Sequence, residues 1–137
     1  EKNRLIFLGE SSTRKELLKV YNKIDIALDP FPFQGNTSTI EAVWMGVPVI
    51  TLKGKRYLSH FGESINSNLN MYDWIAKNND EYISKTIKFS SDFNKLSDIR
   101  MNLRKKALQS PVFDASRFTN HFSNMLWEMW DNFSKKK

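Results

Sequence analysis

LDPFPFQGNTSTIEAVWMGVPVIT, residues 28–51, reads in order as the end of a strand, a polar turn, a short helix, a tight turn and a second strand. The first strand covers 24–29. Pro30, Pro32 and Gly35 break any regular pattern through the turn at 30–36. Ser38-Thr39-Ile40-Glu41 has the spacing of a capping box, in which the serine hydroxyl accepts from a first-turn amide and the glutamate reaches back. Ile40, Val43, Trp44 and Val47 recur at helical spacing and form the predicted buried stripe. Gly46 suits the C-terminal cap and Pro48 forbids continuation, so 49–52 is the next strand.

A polar loop with a glycine, entering a helix at the end of a buried strand, has foreseeable chemistry. The first-turn amides have no intrahelical partner, and the helix dipole adds about half a positive charge. Such an end receives anions. Gly35 lets a ligand approach the backbone, and Thr37, Ser38 and Thr39 add hydroxyl donors. In open parallel sheets the ligand crevice lies beyond the carboxyl ends of the strands, where this turn falls. A phosphate or diphosphate is the natural guest.

Working outward, 5–8 (LIFL) is a short apolar run ending at Gly9 and reads as a buried strand. Residues 10–12 form a polar loop. Thr13-Arg14-Lys15-Glu16 is a second capping box, opening a helix to about Asn22 with Leu17, Leu18 and Tyr21 inward. Strand–helix–strand–helix–strand within the first 52 residues implies right-handed crossovers and a parallel sheet. Leu58, Phe61, Ile65 and Leu69 mark another helix with Gly62 as its weak point, and 71–76 is a short strand or a turn with Trp74 in the core. Asn78-Asn79-Asp80 caps a helix to about Ser91 with Ile83 and Ile87 inward. Phe93, Leu96, Ile99, Leu103 and Ala107 mark the next, which Ser110-Pro111 breaks. Asp114 caps a final helix whose stripe is Phe118, Phe122, Met125, Leu126, Met129, Trp130 and Phe133. That stripe is expected to pack on the domain's own core, with an interface to a missing domain as the alternative. Lys135, Lys136 and Lys137 are expected to be a disordered tail.

The 137 residues suffice for one domain with a core, and 40% apolar with 26% charged residues describes an ordinary globule. No window is apolar enough to span a membrane, and no signal peptide is evident. The absence of cysteine excludes disulfides and thiolate metal sites and fits a cytoplasmic home. His60 and His121 stand far apart without a carboxylate pattern, so no metal site is expected. The first residue is Glu1, close before strand-like sequence, as in a piece of a longer protein. The net charge of +6 raises the question of nucleic acid, but the cations are spread along the chain. The runs 14–23 and 100–106 fall on amphipathic helices and read as solvated faces. The run Lys53-Gly54-Lys55-Arg56 follows a strand at the ligand edge; it either neutralises a diphosphate or is simply an exposed loop.

Leu28-Asp29, Gly35-Asn36-Thr37-Ser38-Thr39-Ile40-Glu41 and Trp44-Met45-Gly46-Val47-Pro48-Val49-Ile50-Thr51 together resemble the nucleotide-sugar half-site of the O-GlcNAc transferase family, with its tetratricopeptide-linked bacterial relatives. The resemblance continues through Ile75-Ala76, Asp80-Glu81-Tyr82, Leu103-Arg104, Ser110-Pro111 and Met129-Trp130, nearly the whole chain. It implies an α/β fold: a parallel Rossmann-like sheet covered by helices, the C-terminal lobe of a GT-B type glycosyltransferase, with 1–137 as one nucleotide-sugar-binding lobe. It implies inverting transfer of N-acetylglucosamine from UDP-GlcNAc, or a related nucleotide sugar, to protein serine and threonine hydroxyls, with no cofactor and no metal.

By the same resemblance, Thr37 and Ser38 grip the diphosphate, Glu41 holds the ribose hydroxyls, and Gly35 and Asn36 belong to the same nucleotide-sugar-binding set. The capping box is the competing role for Ser38 and Glu41. Arg14 falls near a family lysine on the phosphates, and His60 near a position where relatives carry arginine. Asn36 stands where many members have histidine, Glu41 where better-known members have aspartate, and Leu17 near a histidine beside the uracil. Most catalytic residues and the acceptor site belong to an N-terminal catalytic lobe, so this piece alone is expected to be inactive. The alternatives from other classes are a degenerate lobe kept as a protein-interaction module, motivated by Leu17 and Asn36, and a nucleic-acid-binding domain, motivated by charge alone.

Overall fold

The structure, a computed structural model, describes residues 4–9, 11 and 13–135. Three parallel strands form the sheet in the order β1 (Ala27–Leu28), β2 (Val49–Leu52), β3 (Ile75–Ala76). Ala27 pairs with Val49 and Leu28 with Ile50; Thr51 pairs with Ile75 and Leu52 with Ala76. Around them run α1 (Arg14–Val20), α2 (Thr37–Trp44), α3 (Phe61–Asn68), α4 (Asn79–Ser90), α5 (Phe93–Leu108) and α6 (Ala115–Ser134). Each parallel step needs a crossover, and α2 and α3 supply the two. The α/β class and its parallel sheet are as the sequence implies.

All four residues of β2 are buried, as a central parallel strand requires. Val43, Val47, Ile50, Leu69, Trp74, Leu103 and Ala107 form the core around it. Trp74 stacks on Phe89 with centroids 4.4 Å apart. Buried Asn66 ties α3 to the sheet, its amide donating to the Val49 carbonyl at 2.9 Å.

Helix α2 ends in a double turn. The Gly46 amide donates to the Val43 carbonyl at 3.0 Å and the Val47 amide to the Ala42 carbonyl at 2.8 Å, with Gly46 at φ +78°. The basic run on α5 leaves Arg104, Lys105 and Lys106 exposed, as a solvated face should, and Arg104 also reaches back to this end. Arg104 donates through Nε to the Trp44 carbonyl at 2.7 Å and lies over the Trp44 ring. Arg100 donates to the Ile24 carbonyl, and Lys106 to that of Asn70.

Several expectations are corrected. Residues 5–8 form no strand, and Phe7 is 90% exposed. An apolar run becomes a buried strand only beside a partner, and strand pairing here starts at Ala27. The predicted strand 24–29 shrinks to Ala27–Leu28. The helix predicted from Leu58 is a 3-10 turn, Tyr57–Ser59, followed by α3, and Leu58 is exposed. On α4 the inward side chains are Phe89 and, partly, Tyr82, while Ile83 and Ile87 are exposed. Phe93 likewise faces out. Leu17 is exposed, although Leu18 and Tyr21 are half-buried.

The largest departure is α6. Asp114 caps it as expected, accepting from the Arg117 amide at 2.9 Å, but no residue of the helix is buried. Phe118, Phe122, Met125, Leu126, Met129, Trp130 and Phe133 do not pack on the core. Of the expected tail, Lys135 caps α6, and Lys136 and Lys137 lie outside the described residues, as do Glu10 and Ser12 of the predicted loop.

Gly46→Ala tests the double turn. A Cβ there would stand 2.7 Å from the Arg100 carbonyl oxygen on a left-handed backbone. The left-handed conformer alone costs about 1–2 kcal/mol, and the clash adds to it. Urea unfolding followed by circular dichroism should show a lower midpoint by at least that amount.

Candidate functional site

Asp29 leaves the carboxyl end of β1 and is only 5% exposed. Its Oδ1 accepts from the Gly35 amide at 2.8 Å, and its Oδ2 from the Thr51 hydroxyl at 2.7 Å. One carboxylate thus pins the loop before α2 to both β1 and β2. Burial raises the Asp29 pKa above the ordinary carboxylate value, against the two hydrogen bonds that favour the charged form. Tyr82 donates to the Asp29 carbonyl at 3.0 Å. Its own pKa is raised by burial and then by the Asp29 charge.

Gln34, 1% exposed, does for α3 what Asp29 does for α2. Its Nε2 donates to the Leu52 carbonyl at 2.6 Å and its Oε1 accepts from the Gly62 amide at 2.8 Å. Gly62 is no weak point. A Cβ there would collide with the Thr51 hydroxyl and with Asp29 Oδ2, so α3 reaches this network only through a glycine.

The helix opens two residues earlier than its sequence suggests. Asn36 is the N-cap without a side-chain cap bond, and Thr37 and Ser38 are the first exposed residues of α2. The predicted capping box between Ser38 and Glu41 is therefore absent. Thr39 turns inward instead and donates to the Gly35 carbonyl at 2.9 Å. Glu41 is taken by Arg14, with Nη2 to Oε1 at 2.9 Å, its side chain 10% exposed beneath an arginine 70% exposed. The capping box that does form is Thr13 with Glu16 on α1. A small cleft of about 120 Å3 lies beside the helix start, lined by Tyr21, Leu28, Asp29, Pro30, Ser38 and Thr39. Whole small-molecule sites span roughly 300–1,000 Å3, so this cleft alone is too small to be one.

Gly35, Asn36, Thr37 and Ser38 are thus gathered at one exposed helix start, and Arg14 and Glu41 are joined beside it. His60 is engaged elsewhere. Its Nδ1 lies 2.6 Å from Glu63 Oε2, and Lys53 Nζ lies 2.6 Å from Glu63 Oε1. Burial opposes ionisation of Glu63, but hydrogen bonds from Lys53 and His60, with their charges, outweigh it and hold its pKa below the ordinary value. Lys53 is accordingly paired within the protein. Among the described residues no group of three His, Cys, Asp or Glu side chains is arranged to hold a metal ion, and no helix is long and apolar enough to cross a membrane.

Sequence reasoning gave no site role to Asp29, Gln34 or Thr51, and read Tyr21 only as an inward residue of the first helix. An aspartate closing a buried strand was a usable signal, since a buried carboxylate must find donors. Gln34 carried no local signal, and the inward spacing of Tyr21 named no partner.

The Glu63 shift has a definite sign. A carboxyl held below its ordinary value of 4.5 stabilises the fold above that pH, and the contribution is lost as pH falls through the folded-state value. Urea midpoints measured from about pH 6 to pH 3 should fall less steeply in Glu63→Gln than in the unaltered protein.

The model of glycosyl transferase family 41 matches residues 1–122. The tomato SPINDLY protein, named as a probable UDP-N-acetylglucosamine–peptide N-acetylglucosaminyltransferase, is 35% identical over 113 residues, 82% of this chain and 12% of the tomato protein. The Arabidopsis thaliana SPINDLY protein is 33% identical over 138 residues, 93% of this chain and 15% of its own length. A mutant O-GlcNAc transferase of Thermobaculum terrenum superposes with a TM-score of 0.80 at 31% identity, covering 88% of this chain and 23% of that structure. The chain therefore spans only 12% to 15% of these two curated relatives. Its sheet, helices and sequence make it part of the GT-B catalytic region, and the chain belongs to glycosyl transferase family 41.

Proposed function

We propose that the chain is the donor-binding lobe of an inverting glycosyltransferase that moves N-acetylglucosamine from UDP-GlcNAc to serine or threonine hydroxyls of proteins. The observation that carries this reading is the opening of α2. Asn36, Thr37 and Ser38 stand exposed at the carboxyl ends of β1 and β2, with their loop braced from behind by Asp29. Departure of UDP requires positive potential on its diphosphate. First-turn amides, two hydroxyls and the helix dipole offer that potential, with no need of a metal. Glu41, on the next turn, would accept from the ribose hydroxyls. Arg14 and Leu17 line an open groove of about 540 Å3 beside α1, a place for the base end of the nucleotide. In this reading the acceptor site and most reacting groups belong to an N-terminal catalytic lobe outside this chain.

Calorimetric titration of UDP into the full-length protein tests the proposal. Ser38→Ala and Thr37→Ala should each weaken UDP by about ten- to a hundredfold, the loss of one hydrogen bond to a charged group. A full-length protein that does not bind UDP, or variants that bind it unchanged, would overturn the reading.

A further inference from the structure

The outer surface of two loops, both at the sheet edge where α2 opens, takes no part in the reading above. Residues 30–34 follow β1 and residues 53–60 follow β2. The loops are tied side by side. The Gln34 amide donates to the Leu58 carbonyl at 3.3 Å, and the buried Ser59 hydroxyl donates to the Pro32 carbonyl at 2.8 Å. The second loop also closes on itself, with the Gly54 amide donating to the Ser59 carbonyl at 3.2 Å and the Ser59 amide to the Arg56 carbonyl at 2.8 Å. A Cβ at Gly54 would collide with Ser59 and press on the Phe31 ring, so the two loops meet through that glycine.

This braced pair presents rings and cations to solvent. Phe31, Phe33, Tyr57 and Leu58 are exposed, with Tyr57 edge-on to Phe61 at 5.3 Å between centroids. Lys55 and Arg56 are exposed beside them, and among the described residues their side chains have no hydrogen-bond or ion-pair partner. Residues 30–36 and 53–60 contain no aspartate or glutamate. Glu63, on the helix that follows, is spent on Lys53 and His60. A contiguous exposed apolar patch marks an interaction surface. Unpaired cations at its rim draw in and orient an anionic partner. An acceptor hydroxyl must reach the sugar above the opening of α2, so the polypeptide that carries it crosses this same edge.

We propose that the rim of Phe31, Phe33, Tyr57, Lys55 and Arg56 docks the acceptor polypeptide and selects acidic residues beside the acceptor serine or threonine. The inference rests on the donor-lobe reading and deepens it by naming the acceptor class. The other lobe holds the reacting hydroxyl, and this rim takes the stretch of chain next to it. Single-stranded nucleic acid also combines stacking rings with cations, but its binding draws on many phosphate contacts, and the rim offers only Lys55 and Arg56.

The test uses the full-length protein, UDP-GlcNAc and two serine peptides that differ only in their flanks, aspartate in one and lysine in the other. The unaltered protein should prefer the aspartate peptide, and added salt should shrink that preference. The double variant Lys55→Glu/Arg56→Glu should raise the KM of the aspartate peptide about two- to thirtyfold, the worth of two exposed ion pairs. It should also turn the preference toward the lysine peptide. Both side chains are exposed and unpaired, so the fold should persist, and thermal melting checks it. UDP affinity by calorimetry should not change. An unaltered preference would overturn the inference. So would an equal fall with both peptides, which would make the rim a contact between lobes, or weaker UDP binding, which would give the two cations to the diphosphate. Displacement of the aspartate peptide by oligothymidylate at lower concentration than by free aspartate peptide would overturn it in favour of nucleic acid. Transfer to neither peptide with UDP still bound would sink the inference alone, and a full-length protein that does not bind UDP would remove the donor reading with it.

Discussion

Asp29 leaves β1 with its main chain still in the sheet and its side chain already committed to the loop beyond. A carboxylate with 5% exposure is costly unless its lone pairs find donors. Here those donors are the amide of Gly35 and the hydroxyl of Thr51, on two different segments. The cost of burial thus becomes a constraint on geometry, because Gly35 can move away from β2 only by stranding a buried oxygen. Gln34 repeats the device between β2 and α3. Residues 30–36 have no regular secondary structure, yet Gln34 and Gly35 within them are tied to the strands by side-chain hydrogen bonds.

That brace fixes one end of α2, and α5 fixes the other. The double turn at Gly46 satisfies the carbonyls of Ala42 and Val43, and Arg104 satisfies that of Trp44 while stacking on its ring. A cation at a helix C-terminus also complements the macrodipole. The two anchors leave the amino end of the helix open while its carboxyl end is saturated. The positive end of the dipole therefore faces the cleft at the sheet edge, where an anion could use it.

Local chemistry made much of this legible. Thr13 and Glu16 at capping-box spacing, Gly46 with Pro48, Asn78 and Asp114 each marked a boundary that the structure keeps. Such signals need only a few neighbouring residues. Reading failed where the partner is remote. The run 5–8 looks like a strand because apolar periodicity is silent about what it would pair with. Ile83 and Ile87 lost the inward face of α4 to Tyr82 and Phe89, since both sets fit a helical stripe and only tertiary contact chooses between them. The start of α2 moved by two residues because Asn36 and Ser38 are both acceptable caps. Glu41 then turned to Arg14, a partner on another helix that no spacing rule could reveal.

Helix α6 carries a different lesson. None of its side chains is buried, so the tertiary packing that stabilises most helices contributes little to it. What remains is local: the Asp114 cap, the stacked Phe118 and Phe122 rings one turn apart, and a length of 20 residues. The cooperative unit of this chain accordingly ends near Asp114. Beyond it, amide protons should exchange through fraying of a single helix rather than through global opening. A calorimetric trace of the isolated chain would then hold two events, a sharp one for the sheet and its covering helices and a broad one for α6, and a single melting temperature would describe only the first.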